Sequence, residues 1–164
     1  MTDDDRLPDP VGAARALPKG SLVIIRSRDT ERRRALGEAL RAQTSGLILL
    51  AADDPVLANT LHGLHLPEAR ARDAAHWRAV RPHWVITVAA HSARGLQIPY
   101  ADAALLSPVF ATTSHPKPLA LTPARARLIA RHALLPVLAL GGVNTQNAAL
   151  LSGFSGIAAI TALS

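Results

Sequence analysis

His91 stands directly behind the apolar run 84–88 and its short extension Ala89-Ala90. Its imidazole is therefore expected at the end of a strand, facing whatever space that end opens onto. An imidazole titrates near neutral pH and can move a proton in either direction; a histidine that simply closes a strand end is the plainer reading. Gly141 and Gly142 follow the run 137–140, and two glycines in a turn let backbone N–H groups approach an anion closely. The following apolar run ends at Ile160-Thr161, a second source of N–H donors if the two strands are neighbours. A tight turn and nothing more would also explain the glycines. The segment 107–116 is rich in hydroxyls and prolines, with Thr112, Ser114 and His115 able to meet phosphate oxygens or a heterocycle. Arg26 and Arg28 lie two apart, so on one strand they face one side and suit a diphosphate or a carboxylate. Asp53 and Asp54 offer carboxylates to Mg²⁺, and Asp54 equally suits a helix N-cap. His62 and His65 are spaced as a metal pair but lack a third ligand, so zinc is not expected.

These residues need a frame that brings them to one place. Seven short runs, 22–25, 47–50, 63–66, 84–88, 103–106, 137–140 and 157–160, are apolar almost throughout and do not alternate. Such runs read as strands buried on both faces of a parallel sheet. Amphipathic stretches lie between them: 30–42 carries Leu36 and Leu40 among charges, and 122–133 opens with Thr122 as N-cap and Pro123 at the first helical position. A short helix is expected over 147–151, before Gly153. The order predicts an α/β protein, a (β/α)₈ TIM barrel in minimal or incomplete form. An open doubly wound sheet is the competitor, without the G-x-G-x-x-G fingerprint. The barrel is favoured because nearly every polar or glycine cluster follows the C-terminal end of a run, where barrel enzymes build their sites.

With 164 residues, the chain is read as one domain, 1–164, with a partly irregular N-terminal segment over 1–20. Apolar residues make up 49% and charged ones 18%, which excludes a disordered chain. The lack of cysteine excludes disulfides, thiolate metal sites and cysteine nucleophiles. No membrane span or signal peptide is legible, so a cytoplasmic location is expected. The net charge of +6 is spread along the chain, and the cluster Arg32, Arg33, Arg34 sits in a helical run with acidic interruptions. With aromatics at 3%, a nucleic-acid partner is not expected. An anionic small molecule suits the charge better.

Five motifs in series carry a resemblance. Gly63-Leu64-His65-Leu66-Pro67-Glu68 is similar to G-V-H-L-G-Q, Ala90-His91-Ser92 to S-x-H-S/T, and Ser107-Pro108-Val109-Phe110-Ala111-Thr112 to G-P-V-F-P-T. Leu140-Gly141-Gly142-Val143 is similar to I-G-G-I, and 156–163 to a last strand G-V-A-V-I-S-A-I. From about Leu22 onward the chain resembles the thiamine phosphate synthase/TenI family of phosphate-binding barrels. The resemblance implies one of two activities: coupling of a pyrimidine methyl diphosphate to a thiazole phosphate with Mg²⁺, or isomerisation of a thiazole carboxylate phosphate with the histidine of S-x-H-S as acid–base. It implies that Gly142, Ile160 and Thr161 offer N–H groups to the thiazole phosphate. Thr112 and Ser114 would meet the other end of the ligand, Arg26 and Arg28 the diphosphate, and Asp53 one Mg²⁺.

The chain departs from the pattern on the metal side. Q-x-R-x-K is Ile24-Ile25-Arg26-Ser27-Arg28, the N-D pair is Ala52-Asp53, the lysine after the P-T-x-T loop is His115, and the second metal-binding aspartate falls on Arg70. A cation in place of a ligand reverses the local charge, which tilts the expectation from coupling towards isomerisation. The enzyme alternative is a synthase with diphosphate contacts rebuilt from Arg26, Arg28 and Arg70. A non-catalytic phosphate-ligand-binding or regulatory relative is the alternative from another class. Phosphorylated thiazole or thiamine phosphate is the expected ligand. Met1-Thr2-Asp3 resembles only the tail of the family's first strand, and no closing helix follows the last one. A missing or displaced first strand, a chain start placed too late and a homodimer covering the open edge are therefore expected.

Overall fold

The computed structural model describes residues 1–111 and 121–160. Seven strands, β1 (Leu22–Ile25), β2 (Ile48–Ala52), β3 (Gly63–Leu66), β4 (Val85–Ala90), β5 (Ala103–Leu106), β6 (Val137–Ala139) and β7 (Gly156–Ile157), form one sheet. Each pairs in parallel with the next, in the order β1-β2-β3-β4-β5-β6-β7. This is the sequential order of a barrel, as the alternation of elements predicts.

Both faces of the sheet are buried, which is why the strands read as runs apolar almost throughout, His65 and Thr87 excepted. Ile24, Leu50 and Leu105, with Leu22, Ile48 and Leu138, pack together on the concave face. Val23, Ile25, Leu49, Ala51, Leu64, Leu66, Ile86, Val88 and Leu106 face outward into the larger core beneath the helices. Each such Leu or Ile contributes about 1.5–3 kcal/mol by leaving water. At the start of β3, a Cβ on Gly63 would lie 2.0 Å from Val85 O, so only glycine lets β3 and β4 close here.

Helices α2 (Thr30–Gln43) and α5 (Pro123–Arg131) lie where the periodicity puts them, slightly shifted at their ends. Asp29 caps α2 by accepting from Arg32 N at 2.8 Å, and Thr122 caps α5. Asp54 is the N-cap of the short α3 (Pro55–Ala58). The region 1–20 contains α1 (Pro10–Arg15), started by Asp9 and Pro10. A 3₁₀ turn (Glu68–Asp73) and α4 (Ala74–Val80) join β3 to β4, a connection that the apolar periodicity does not resolve. The expected helix over 147–151 is a 3₁₀ turn, Ala148–Leu151.

Two expectations need correction. The last strand is Gly156–Ile157, not 157–160, because Ala158 N donates to Ala139 O and β6 then turns away at Gly141, φ +93°. Arg26 and Arg28 follow β1 and are not on it, since β1 ends at Ile25.

Among the described residues, the sheet's two edges, β1 and β7, are bridged by hydrogen bonds of residues 1–2. The Met1 amino group donates to Ala159 O and Thr2 N to Ile24 O, both at 2.9 Å. Thr2 Oγ1 and Arg26 exchange hydrogen bonds at 2.8 Å in each direction. Further from the mouth, the seam is a cavity of about 410 Å³ between Leu22, Ile24, Leu138 and Ile157, under Ala13 and Leu17. The barrel is incomplete, as expected, with a two-residue stub where a strand would stand.

Candidate functional site

At the C-terminal ends of the strands the lumen opens into a cavity of about 810 Å³. Strand order decides its walls, since residues from β1 to β7 that are far apart in the chain all end at this rim. Of the residues singled out in the sequence, Arg26, Arg28, Asp53, His65, His91, Gly141, Gly142 and Ile160 line it. Thr112, Ser114, His115 and Thr161 lie outside the described residues.

His91 follows β4 and faces Ser107 at the end of β5. Its Nδ1 donates to Ser107 O at 2.8 Å, with Ser107 Oγ at 3.4 Å. That bond places the proton of the neutral ring on Nδ1, which leaves the Nε2 lone pair as a base. Across the mouth, Gly141 and Gly142 both take positive φ, +93° and +66°. The turn is held by Phe110 N donating to Gly141 O at 3.1 Å and Asn147 Nδ2 donating to Gly142 O at 2.8 Å. A Cβ on Gly142 would lie 2.7 Å from Ala111 O, so any side chain there collides with the neighbouring loop. The N–H groups of Gly141 and Gly142 meet no acceptor among the described residues. Two such donors beside a half-open cavity suit an anion.

Charge at the opposite side is more organised than the sequence suggests. Asp3, almost fully buried, accepts from Arg6 at 2.7 Å and Arg26 at 3.3 Å. The Arg6 guanidinium beside Asp3 holds its carboxyl below the usual range. Asp4 accepts from Arg28 N at 2.9 Å and Ser27 Oγ at 3.1 Å, and Arg28 also pairs with Asp5 at 3.5 Å. The acidic start of the chain thus lies against the arginines assigned to a diphosphate. Arg33, read from sequence as one of a solvated trio, is instead half-hidden at the cavity wall. It donates to Ser27 O at 2.9 Å and pairs with Asp54 at 3.1 Å. Burial raises the Asp54 carboxyl, but the Leu57 N–H and Arg33 outweigh it, so the group stays below its ordinary value.

His65 and Thr87 form the polar floor of the lumen. His65 Nδ1 and Thr87 Oγ1 are 2.9 Å apart, and both residues are buried. Burial pushes the His65 pKa down to about 4, helped by the Met1 amino group and Arg26, so the ring is neutral at physiological pH. His62 accepts a hydrogen bond from Leu49 N at 3.0 Å through Nδ1. Reading by sequence missed Arg33 at the cavity wall and the His65–Thr87 pair, and named Ser107 as part of the hydroxyl-rich segment without pairing it to His91. The period-two pattern of β3 and β4, which turns His65 and Thr87 inward, was the available signal.

The residues do not fit the Mg²⁺ that the resemblance implies. Asp53 Oδ1 accepts from Arg70 NH1 at 2.7 Å, and Arg70 Nε donates to Asp73 Oδ2 at 2.9 Å. A guanidinium therefore stands where a hard cation would need further oxygen ligands. Among the described residues no group of three or more His, Asp or Glu is placed to hold a metal ion. No helix of the described residues is long and apolar enough to cross a membrane.

Comparison with known proteins bears on the family and the fold. The TMP-TENI family described as thiamine monophosphate synthase matches residues 4–163. A protein of Aquifex aeolicus (strain VF5) named "Putative thiamine-phosphate synthase 2" is 31% identical over 157 residues, covering 88% of this chain and 84% of its own. The solved thiamine phosphate pyrophosphorylase from Pyrococcus furiosus superposes with a TM-score of 0.73 at 22% identity. That superposition covers 97% of this chain and 82% of the other, and shows the shared fold.

Proposed function

The chain belongs to the thiamine monophosphate synthase (TMP-TENI) family of thiamine biosynthesis, and from that premise we propose that it binds a phosphorylated thiazole and isomerises it in the manner of TenI. The observation that carries this reading is the His91–Ser107 hydrogen bond of 2.8 Å at the cavity wall. It leaves Nε2 free to take a proton from one position of the bound ligand and return one at another, the double bonds shifting between the two positions with no group added or lost. The Gly141-Gly142 turn supplies N–H donors for the phosphate, and Ile160 stands beside it on the same rim. Thr161, Thr112, Ser114 and His115 are proposed contacts by resemblance alone. Arg26 and Arg28 add positive charge at the far side of the mouth, already partly neutralised by Asp3 and Asp5.

A synthase is the second reading, favoured by the number of arginines on the cavity wall, Arg6, Arg26, Arg28 and Arg33. Two assays separate the readings. Incubation with a thiazole carboxylate phosphate in deuterated water, followed by NMR, reads proton transfer, and mass spectrometry after adding both half-substrates and Mg²⁺ reads thiamine phosphate. Isomerisation is expected, lost about 100-fold or more in His91→Ala with affinity kept. Thiamine phosphate above the blank, or undiminished isomerisation in His91→Ala, would refute the proposal. Affinity without either product would leave a non-catalytic binder.

A further inference from the structure

Asp53 leaves β2 at the cavity rim in the left-handed region, φ +51°, a conformation that a non-glycine residue adopts at a cost. Its N–H donates to His65 O at 2.9 Å, which fixes the residue against β3 and holds its carboxylate at the rim. Oδ1 then meets Arg70 NH1 at 2.7 Å, while Arg70 Nε meets Asp73 Oδ2 at 2.9 Å. One guanidinium thus bridges two carboxylates, one after β2 and one at the end of the 3₁₀ turn behind β3. The side chains of Asp53 and Arg70 are 45% and 43% exposed, so the pair lies on the open rim and screening leaves it little to add to stability. The bond from Asp53 N–H to His65 O holds this backbone in place, and the exposed ion pair that it presents is not needed for the fold. The arrangement is that of a cation between carboxylates, with a side chain as the cation.

We infer that Arg70 is a resident substitute for a divalent cation at the rim. Its single positive charge permanently offsets one of the two carboxylates and occupies Asp53 Oδ1 and Asp73 Oδ2, the oxygens a divalent cation would need, so Mg²⁺ meets a cation where its ligands should be. The anionic ligand of the cavity is therefore held with an affinity independent of Mg²⁺. Only this last consequence rests on the reading of the mouth as a phosphate-ligand site; refusal of the cation does not.

The test is a titration with Mn²⁺, a paramagnetic stand-in for Mg²⁺, read by electron paramagnetic resonance of the free ion. Wild type is expected to bind Mn²⁺ no more tightly than Asp53→Asn. Arg70→Asp is expected to bind it at least about tenfold more tightly, with the gain abolished when Asp53→Asn is added. Arg70→Gln removes the positive charge with less disturbance and is expected to give a smaller gain, about threefold, should Arg70→Asp fail to fold by circular dichroism. Tight Mn²⁺ binding by wild type that Asp53→Asn removes would overturn the inference, as would no gain in either Arg70 variant. Calorimetry with thiazole phosphate in EDTA and in Mg²⁺ should give affinities within about twofold of each other. An affinity that requires Mg²⁺ overturns the inference; absence of binding in both buffers speaks against the proposed ligand, and the Mn²⁺ result still decides the role of Arg70.

Discussion

Replacing His65 by Gln tests whether the lumen holds a neutral imidazole. In the folded protein the ring is buried against Thr87 and titrates near 4, against 6.5 for an exposed histidine. The unfolded chain takes up a proton as the pH falls through 6.5, while the fold refuses it until about 4. Stability is therefore full above 6.5, falls across this window, and reaches its lower level below 4. At about 1.4 kcal/mol per pH unit the whole loss is roughly 3 kcal/mol, most of it gone by about pH 4.5. Gln at 65 keeps a donor and acceptor for Thr87 but cannot titrate. It is expected to lower stability at every pH by leaving part of the ring's volume empty, while flattening the slope. Urea unfolding at about pH 7.5 and pH 4.5 measures both effects, and the other histidines, present in both proteins, cancel. If the wild type and His65→Gln lose the same stability between these values, the buried neutral histidine is wrong.

Two glycine replacements probe the frame and the turn. Gly63→Ala drives a Cβ to 2.0 Å from Val85 O and should cost about 3 kcal/mol by forcing β3 from β4; an unchanged urea midpoint would refute the close approach. Gly142→Ala adds a Cβ 2.7 Å from Ala111 O at φ +66° and should cost about 1–3 kcal/mol. Calorimetry should show its affinity for thiazole phosphate reduced by about tenfold or more, and full retention of affinity would remove the turn from the phosphate site.

Local chemistry makes much of the molecule legible in its amino-acid order. Seven short runs, apolar almost throughout, read as strands covered on both faces, and Thr122-Pro123 and Asp54-Pro55 mark helix starts because a side-chain oxygen and a missing N–H both suit a first turn. The rim positions of His91, Gly141, Gly142 and Asp53 follow from the same logic, since each stands just past a strand. What the chain order left undecided is which charges meet across the fold. Asp3 and Asp4 lie more than twenty residues from Arg26 and Arg28, and only the seam between β1 and β7 brings them together. Arg33 read as solvated because its helix is charged throughout; only packing of α2 beside α3 turns it onto Asp54. Likewise, sequence could place Arg70 where a carboxylate was expected, but not show that its guanidinium spans Asp53 and Asp73. Hydrophobic periodicity acts over a few residues and so is written locally. Ion pairs act through space, and their partners exist only once the barrel has closed far enough to bring them within reach.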